Sequence, residues 1–252
     1  MKIQILGAHN VEALGSRCAS ILIDGRLALD AGALSSSLTL ADQRNLEAIL
    51  ITHQHYDHVC DVPTIALNFY HNGLTLNLYT LRSVGEALSS HLLDGTLYPS
   101  FLGKPPEKPA VRFSVVESGE SFKIGDYQIL PLSVAHGVPA VGYQVTSAEG
   151  KSLFYTGDTG SGLESVWEKI APDLLITEVT FANRHEAEGH LTPNLLKGEL
   201  AIFQRLRGYL PEVVVCHVSP EDEIEIAWEL ATVASELGSR ISLAYEGMSL
   251  YL

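Results

Sequence analysis

The chain has 252 residues, room for one large α/β domain with a well-buried core; 46% of it is apolar, yet no apolar run nears the length of a membrane span. Thirty acidic residues against sixteen basic ones leave a formal charge of −14, a surface that repels polyphosphates and disfavours a long nucleic acid as substrate. Cys18, Cys60 and Cys216 are an odd, scattered set that argues against a disulfide framework; with no apolar signal stretch at the start, the cytoplasm is the expected compartment.

In chain order, short β-rich runs are expected at 3–7, 19–23, 26–30 and 48–52, with Asp24-Gly25 as a two-residue hairpin turn. Asp61-Val62-Pro63 reads as a helix start leading into 64–70. Ser83-Val84-Gly85-Glu86 reads as a capping box opening a helix to about residue 93. Residues 94–109 hold four of the eleven prolines and no clear period, which predicts an irregular surface loop of a kind that often carries function.

The second half repeats this plan. Strands are expected at 127–135, 141–146, 152–155, 174–177 and 213–216, and a short one near the C-terminus at 248–252. Helices are expected at 163–170, at 193–206 behind a Thr192 cap, and at 220–237 behind a Ser219 cap with Gly238 just past the end. Trp167 and Trp228 fall on apolar helical faces and read as core. Strands followed by helices in each half predict two sheets face to face with helices outside, in a single domain over 1–252.

The apolar run Ile49-Leu50-Ile51-Thr52 leads directly into His53-Gln54-His55-Tyr56-Asp57-His58. At this chain's His and Asp frequencies such a six-residue pattern arises by chance in roughly one chain in a thousand. Three imidazoles and a carboxylate so close together fit poorly around one ion and more easily around two. Nitrogen-rich sites with bridging oxygens suit zinc, with manganese or iron as alternatives, rather than magnesium or calcium. Further ligands are needed from distant sequence. His136, Asp158 and His217 each follow an apolar strand, and that shared position marks them as candidates.

Together these residues resemble the metallo-β-lactamase superfamily, whose His-x-His-x-Asp-His signature stands at 53–58. The resemblance covers essentially the whole chain and implies a four-layer αβ/βα sandwich: two mixed sheets flanked by helices, with two divalent metal ions at one edge. It implies that His53, His55 and His136 hold the first ion. Asp57, His58 and His217 hold the second, and Asp158 bridges. Asp30, closing an expected strand, matches a carboxylate that orients ligand histidines. Thr177-Glu178-Val179-Thr180-Phe181 and Gly189-His190-Leu191-Thr192-Pro193 resemble paired motifs of ribonuclease Z and class II cyclic-nucleotide phosphodiesterases; the Leu-Thr-Pro ending and Tyr98-Pro99-Ser100-Phe101 are closer to the latter.

The expected activity is hydrolysis of a small phosphodiester, most simply a cyclic nucleotide. Asp57 would bond the attacking water, and His190, held protonated by Glu178, would protonate the leaving alkoxide. Alternatives on the same fold are a tRNA 3′-processing nuclease and a lactone or thioester hydrolase. A di-iron redox protein would want a carboxylate where His55 stands, and a non-catalytic sensor would not need His190. A homodimer is compatible with the sequence, and His185 is a further residue near His190 that could touch substrate. His9, His71 and His91 show no partner pattern.

Overall fold

The computed structural model describes residues 1–252. Fourteen strands form two seven-stranded sheets. The first contains β1 (Lys2–Gly7), β2 (Ser20–Ile23), β3 (Leu27–Leu29), β4 (Ala48–Leu50), β5 (Leu76–Thr80) and β6 (Val111–Val115), and it takes β14 (Ser249–Tyr251) as an edge beside β1. The second runs β13 (Ile241–Leu243), β12 (Glu212–Cys216), β11 (Leu174–Glu178), β10 (Ser152–Tyr155), β9 (Val141–Thr146), β8 (Tyr127–Ser133) and β7 (Phe122–Ile124). Both sheets mix parallel and antiparallel pairs.

Period-two alternation sorts each strand's side chains into different layers. In β4, Ala48 and Leu50 enter the core between the sheets, while Ile49 packs on the helices outside. In β12, Val214 and Cys216 enter that same central core, while Val213 and Val215 face the other helical layer. Three apolar clusters result: one between the sheets and one on the outer face of each. The outer layers are closed by helices, among them α4 (Val62–His71) and α5 (Arg82–His91) on the first sheet, and α7 (Pro193–Arg207) and α8 (Glu223–Leu237) on the second. The short helices α1 (Leu34–Ser37), α2 (Leu40–Gln43), α3 (Tyr56–Val59) and α6 (Glu164–Trp167) complete the set. This is the expected αβ/βα sandwich.

Strand direction decides where chemistry gathers. β3 runs parallel to β4, and β10 to β11 and β12, so their C-terminal ends share an edge of each sheet. The strand-end candidates Asp30, His53, His136, Asp158 and His217 all follow such ends.

Several local expectations need correction. The helix expected behind Ser83 starts at Arg82 with Leu81 as its cap residue, so no capping box forms. The last helix begins at Glu223 after Asp222, not at Pro220; Ser219 instead donates its N–H to Thr180 O. Asp222 makes no cap bond because Arg184 and His185 take its carboxylate. The helix expected at 163–170 shortens to α6. Trp167 is buried, but Trp228 is 74% exposed: α8 turns Ile226, Leu230 and Val233 inward and leaves Ile224 and Trp228 in solvent. β5, β6, β7 and β13 were absent from the expected strands. The Thr192 cap, the Asp24-Gly25 turn, the left-handed Gly238 and the irregular 94–109 segment stand as read.

Candidate metal centre

Two groups of ligand atoms converge at the strand-end edge. His53, His55, His136 and Asp158 form one, and Asp57, His58, Asp158 and His217 form the other; within each, one atom per residue lies within 4.8 Å of all the rest. Asp158 belongs to both. Its Oδ2 is 3.6 Å from His53 Nε2 and 3.9 Å from His136 Nε2, while its Oδ1 is 3.2 Å from His58 Nε2 and 3.3 Å from His217 Nε2. Asp57 Oδ2 closes the second group at 3.0 Å from His217 Nε2 and 3.3 Å from His58 Nε2. His55 Nδ1 stands 3.2 Å from His136 Nε2, two nitrogens aimed at one point.

Four of the five imidazoles are aimed by a bond on their other nitrogen, the arrangement that fixes a ligand's tautomer, and only the exposed His55 lacks one. Asp30 is fully buried and accepts from His58 Nδ1 at 2.8 Å, from Thr52 N–H at 2.8 Å and from the Tyr155 hydroxyl at 3.0 Å. His53 Nδ1 donates to Thr52 Oγ1 at 3.0 Å, and that hydroxyl donates on to Asp30 Oδ2 at 2.9 Å. The second half repeats the relay: His217 Nδ1 donates to Thr180 Oγ1 at 2.8 Å, and Thr180 donates to Glu178 Oε2 at 2.7 Å. His136 Nδ1 donates to Gly189 O at 2.9 Å.

The backbone is strained where these groups turn in. Asp30 and His217 adopt left-handed φ values of 58° and 57°, a conformation that costs non-glycine residues on the order of 1 kcal/mol and concentrates at functional sites. Gly157, at φ 58°, permits the close approach of the two halves, since a Cβ there would lie 2.8 Å from Thr52 Cβ.

The donor set suits a pair of cations. His53 Nε2, His58 Nε2 and Asp158 Oδ1 are buried and have no hydrogen-bond partner, and buried polar atoms left so are exceptional. Burial, with His58 next, pushes the His53 imidazole down to about 2, so it is a neutral donor at any ordinary pH. Burial also works against charge on His58, but the Asp158 and Asp30 carboxylates outweigh it and hold its pKa well above the usual range. Asp158 is itself held well below the usual carboxylate range: burial opposes this, and His217 and His58 overcome it. Such a cluster calls for positive charge at its centre, which protons or divalent cations supply.

Beside the cluster, Glu178 is fully buried at the end of β11 and accepts from His190 Nδ1 at 2.8 Å, Thr159 N–H at 2.9 Å and Leu191 N–H at 3.2 Å. Burial lowers the His190 pKa, but the hydrogen bond and charge of Glu178 outweigh it, so His190 lies above its ordinary value. Its ring sits 5.1 Å from that of His136 and stacks at 5.8 Å on that of His217. His185 is drawn away to Asp222 at 3.0 Å. Sequence reasoning missed the orienting hydroxyls of Thr52, Thr180 and Tyr155; Thr52 and Thr180 stand one and two residues from His53 and Glu178, a signal that was available. It also missed His9, which is buried and bonded through Nδ1 to Glu246 at 2.6 Å.

The family described as beta-lactamase superfamily domain matches residues 20–218. The chain belongs to the metallo-β-lactamase superfamily. It is 26% identical over 125 residues to a 3′,5′-cyclic-nucleotide phosphodiesterase of Candida albicans, covering 50% of this chain and 28% of that one. It is 31% identical over 201 residues to a ribonuclease Z of Pyrobaculum aerophilum, covering 65% of this chain and 64% of that one. The chain thus spans less than two thirds of the length of either curated relative. Unliganded yeast PDE1 shares the fold with a TM-score of 0.87 at 18% identity, covering 100% of this chain and 99% of the other.

Proposed function

We propose that this superfamily member is a dinuclear-metal phosphodiesterase acting on a small cyclic nucleotide. His53, His55 and His136 would hold one divalent ion and Asp57, His58 and His217 the other, with Asp158 shared. Zinc is the ion this nitrogen-rich set suits best, with manganese or iron as alternatives. Such a pair supplies Lewis acidity towards a water and a phosphoryl oxygen. The observation that carries the reading is the division of Asp158 between the two ligand groups, with the Glu178–His190 pair alongside.

The chain's own groups divide the remaining work. Asp57 faces the shared centre through Oδ2 and is the acceptor that orients the attacking water. His190 is tied through Nδ1, which leaves Nε2 to donate a proton to the departing alkoxide oxygen; the raised pKa keeps the ring protonated to higher pH than an ordinary imidazole. Glu178 accepts the other ring proton, on Nδ1, favours the charged ring and does not itself meet substrate. The phosphodiesterase and ribonuclease names of the two relatives support a phosphoester bond as target. The formal charge of −14 favours a small substrate over a polynucleotide.

The test is an assay of purified protein loaded in turn with zinc, manganese and iron. Cyclic nucleotides, a tRNA precursor, a lactone and a glutathione thioester are offered as substrates. The expected result is two ions per chain and the highest kcat/KM on a cyclic nucleotide. Preference for the lactone or thioester overturns the reading, and preference for the tRNA precursor moves it to the nuclease.

A further inference from the structure

Two cavities adjoin the ligand cluster, and the groups assigned to chemistry divide between them. Asp57 lines one of about 750 Å³, while His136 and His190 line the other, of about 340 Å³; they share no lining residue. The smaller falls within the range of about 300–1,000 Å³ usual for small-molecule sites. His190 reaches it with Nδ1 already committed to Glu178, so Nε2 is the ring nitrogen left free.

The smaller cavity stays open because three stretches of backbone meet there without side chains: Gly137, Gly160 and Gly189 all line it. A Cβ on Gly160 would lie 3.5 Å from Gly189 Cα, so bulk there meets the opposite wall. A Cβ on Gly137 would meet nothing within 4 Å, and Gly137 has no left-handed φ, so a side chain there takes up free space without strain. Glu188 is exposed and is the only carboxylate of the lining, which holds no lysine or arginine. Arg184, the cation of the same loop, is drawn away to Asp222 and Glu225.

We infer that this smaller cavity receives the leaving alcohol of the phosphodiester and disfavours one that carries a further phosphate, a statement that rests on the phosphodiesterase reading above. In an in-line displacement the attacking and leaving oxygens lie on opposite sides of phosphorus. The water oriented by Asp57 attacks from the side of the larger cavity, so the departing oxygen leaves on the side of His190. The new bond joins the water oxygen to phosphorus, and the bond to the leaving oxygen breaks with its electron pair on that oxygen. His190 Nε2 supplies the proton that makes it an alcohol; the proton shed by the water passes to solvent, from which the ring is recharged. A leaving group with a second phosphate, as at an internal link of a polynucleotide, brings an anion against Glu188 with no cation to offset it. A ribose closed on a single phosphate brings none.

The metal-loaded protein is assayed with methyl 4-nitrophenyl phosphate, bis(4-nitrophenyl) phosphate, and the 3-carboxy and 3-carbamoyl forms of the methyl ester. The first two share a leaving phenol and differ in the retained group; the last two differ in the charge on the leaving phenol. Gly137→Leu should lower kcat/KM about tenfold or more on both of the first pair, the scale at which a pocket senses added bulk, with two ions still bound. Wild type should disfavour the carboxy ester against the carbamoyl ester about fivefold, the scale of one partly screened charge pair. Glu188→Lys should reverse that order. No hydrolysis of any ester defeats the phosphodiesterase reading itself. Hydrolysis in which Gly137→Leu keeps its ions and slows neither of the first pair, or only the bis ester, defeats the leaving-group assignment alone. Should Gly137→Leu lose metal, the charged pair decides: a carboxy-to-carbamoyl ratio that Glu188→Lys does not move overturns the proposal.

Discussion

Glu178 Oε1 receives the Nδ1 proton of His190 at 2.8 Å from a position with no solvent exposure at all. A buried carboxylate bonded to an imidazole keeps the ring charged to higher pH, because its hydrogen bond and negative charge favour the imidazolium over the neutral ring. His190→Ala should therefore cut kcat for a cyclic nucleotide by about 10²–10⁴-fold, with two ions per chain still bound. The loss should be much smaller for bis(p-nitrophenyl) phosphate, whose leaving group needs no proton. Paired kinetics and metal analysis check this, and loss of metal in the variant would assign His190 a ligand role instead.

The same pair sets a pH profile. His190 acts as an acid, so its contribution to kcat is present below its pKa and lost as pH rises through it; the raised value moves that loss upward. Glu178→Gln removes the charge that raises it. The alkaline limb of the kcat profile should then shift to lower pH, and a profile that stays where it was would separate the limb from this histidine.

Asp158 makes a different demand, since its two oxygens face two sets of imidazoles. Asp158→Ala should reduce bound metal from two ions to one or none, read by elemental analysis after gel filtration. Asp30→Ala acts one bond further out, by freeing the His58 and Thr52 contacts. Metal affinity should fall about 10–100-fold there, with catalysis recoverable at high metal concentration.

Metal removal should leave a pH signature in stability. Without cations, Asp158 and Asp30 hold the His58 pKa well above its ordinary value, with burial opposing them. A group raised in the folded state stabilises fully below its unfolded pKa, about 6.5, and that stability is lost as pH rises through the folded pKa. The chelated protein should thus lose Tm steadily as pH is raised above neutral, while the metal-loaded protein holds it. Parallel thermal melts from pH 6 upward test this, and identical slopes for the two forms would remove His58 from the account.

How far the sequence revealed this site depends on distance along the chain. His53, His55, Asp57 and His58 identify themselves because four donor groups follow one apolar strand within six residues. His136, Asp158 and His217 are single residues, and only their shared strand-end position and the family resemblance brought them in. The partnership of His9 with Glu246 was out of reach, since 237 residues separate them and neither belongs to a pattern. Helix starts failed where a tertiary contact won: Asp222 serves Arg184 and His185 rather than its own helix.

The two tryptophans show why one apolar face was misjudged, and they yield a measurement. α8 carries apolar residues nearly all round, and periodicity alone does not say which stripe meets the sheet. Packing chose Ile226, Leu230 and Val233, leaving Trp228 74% exposed. Trp167 is fully enclosed, packs edge-on against Phe154 and Phe203, and donates its indole N–H to Glu199 at 2.9 Å. Removing it empties a large volume and takes a donor from a buried carboxylate. Trp167→Ala should cost about 3–5 kcal/mol, whereas Trp228→Ala should stay within about 0.5 kcal/mol of wild type. Urea unfolding followed by circular dichroism gives both values. A loss of several kcal/mol for Trp228→Ala would show that this face of α8 is covered in solution.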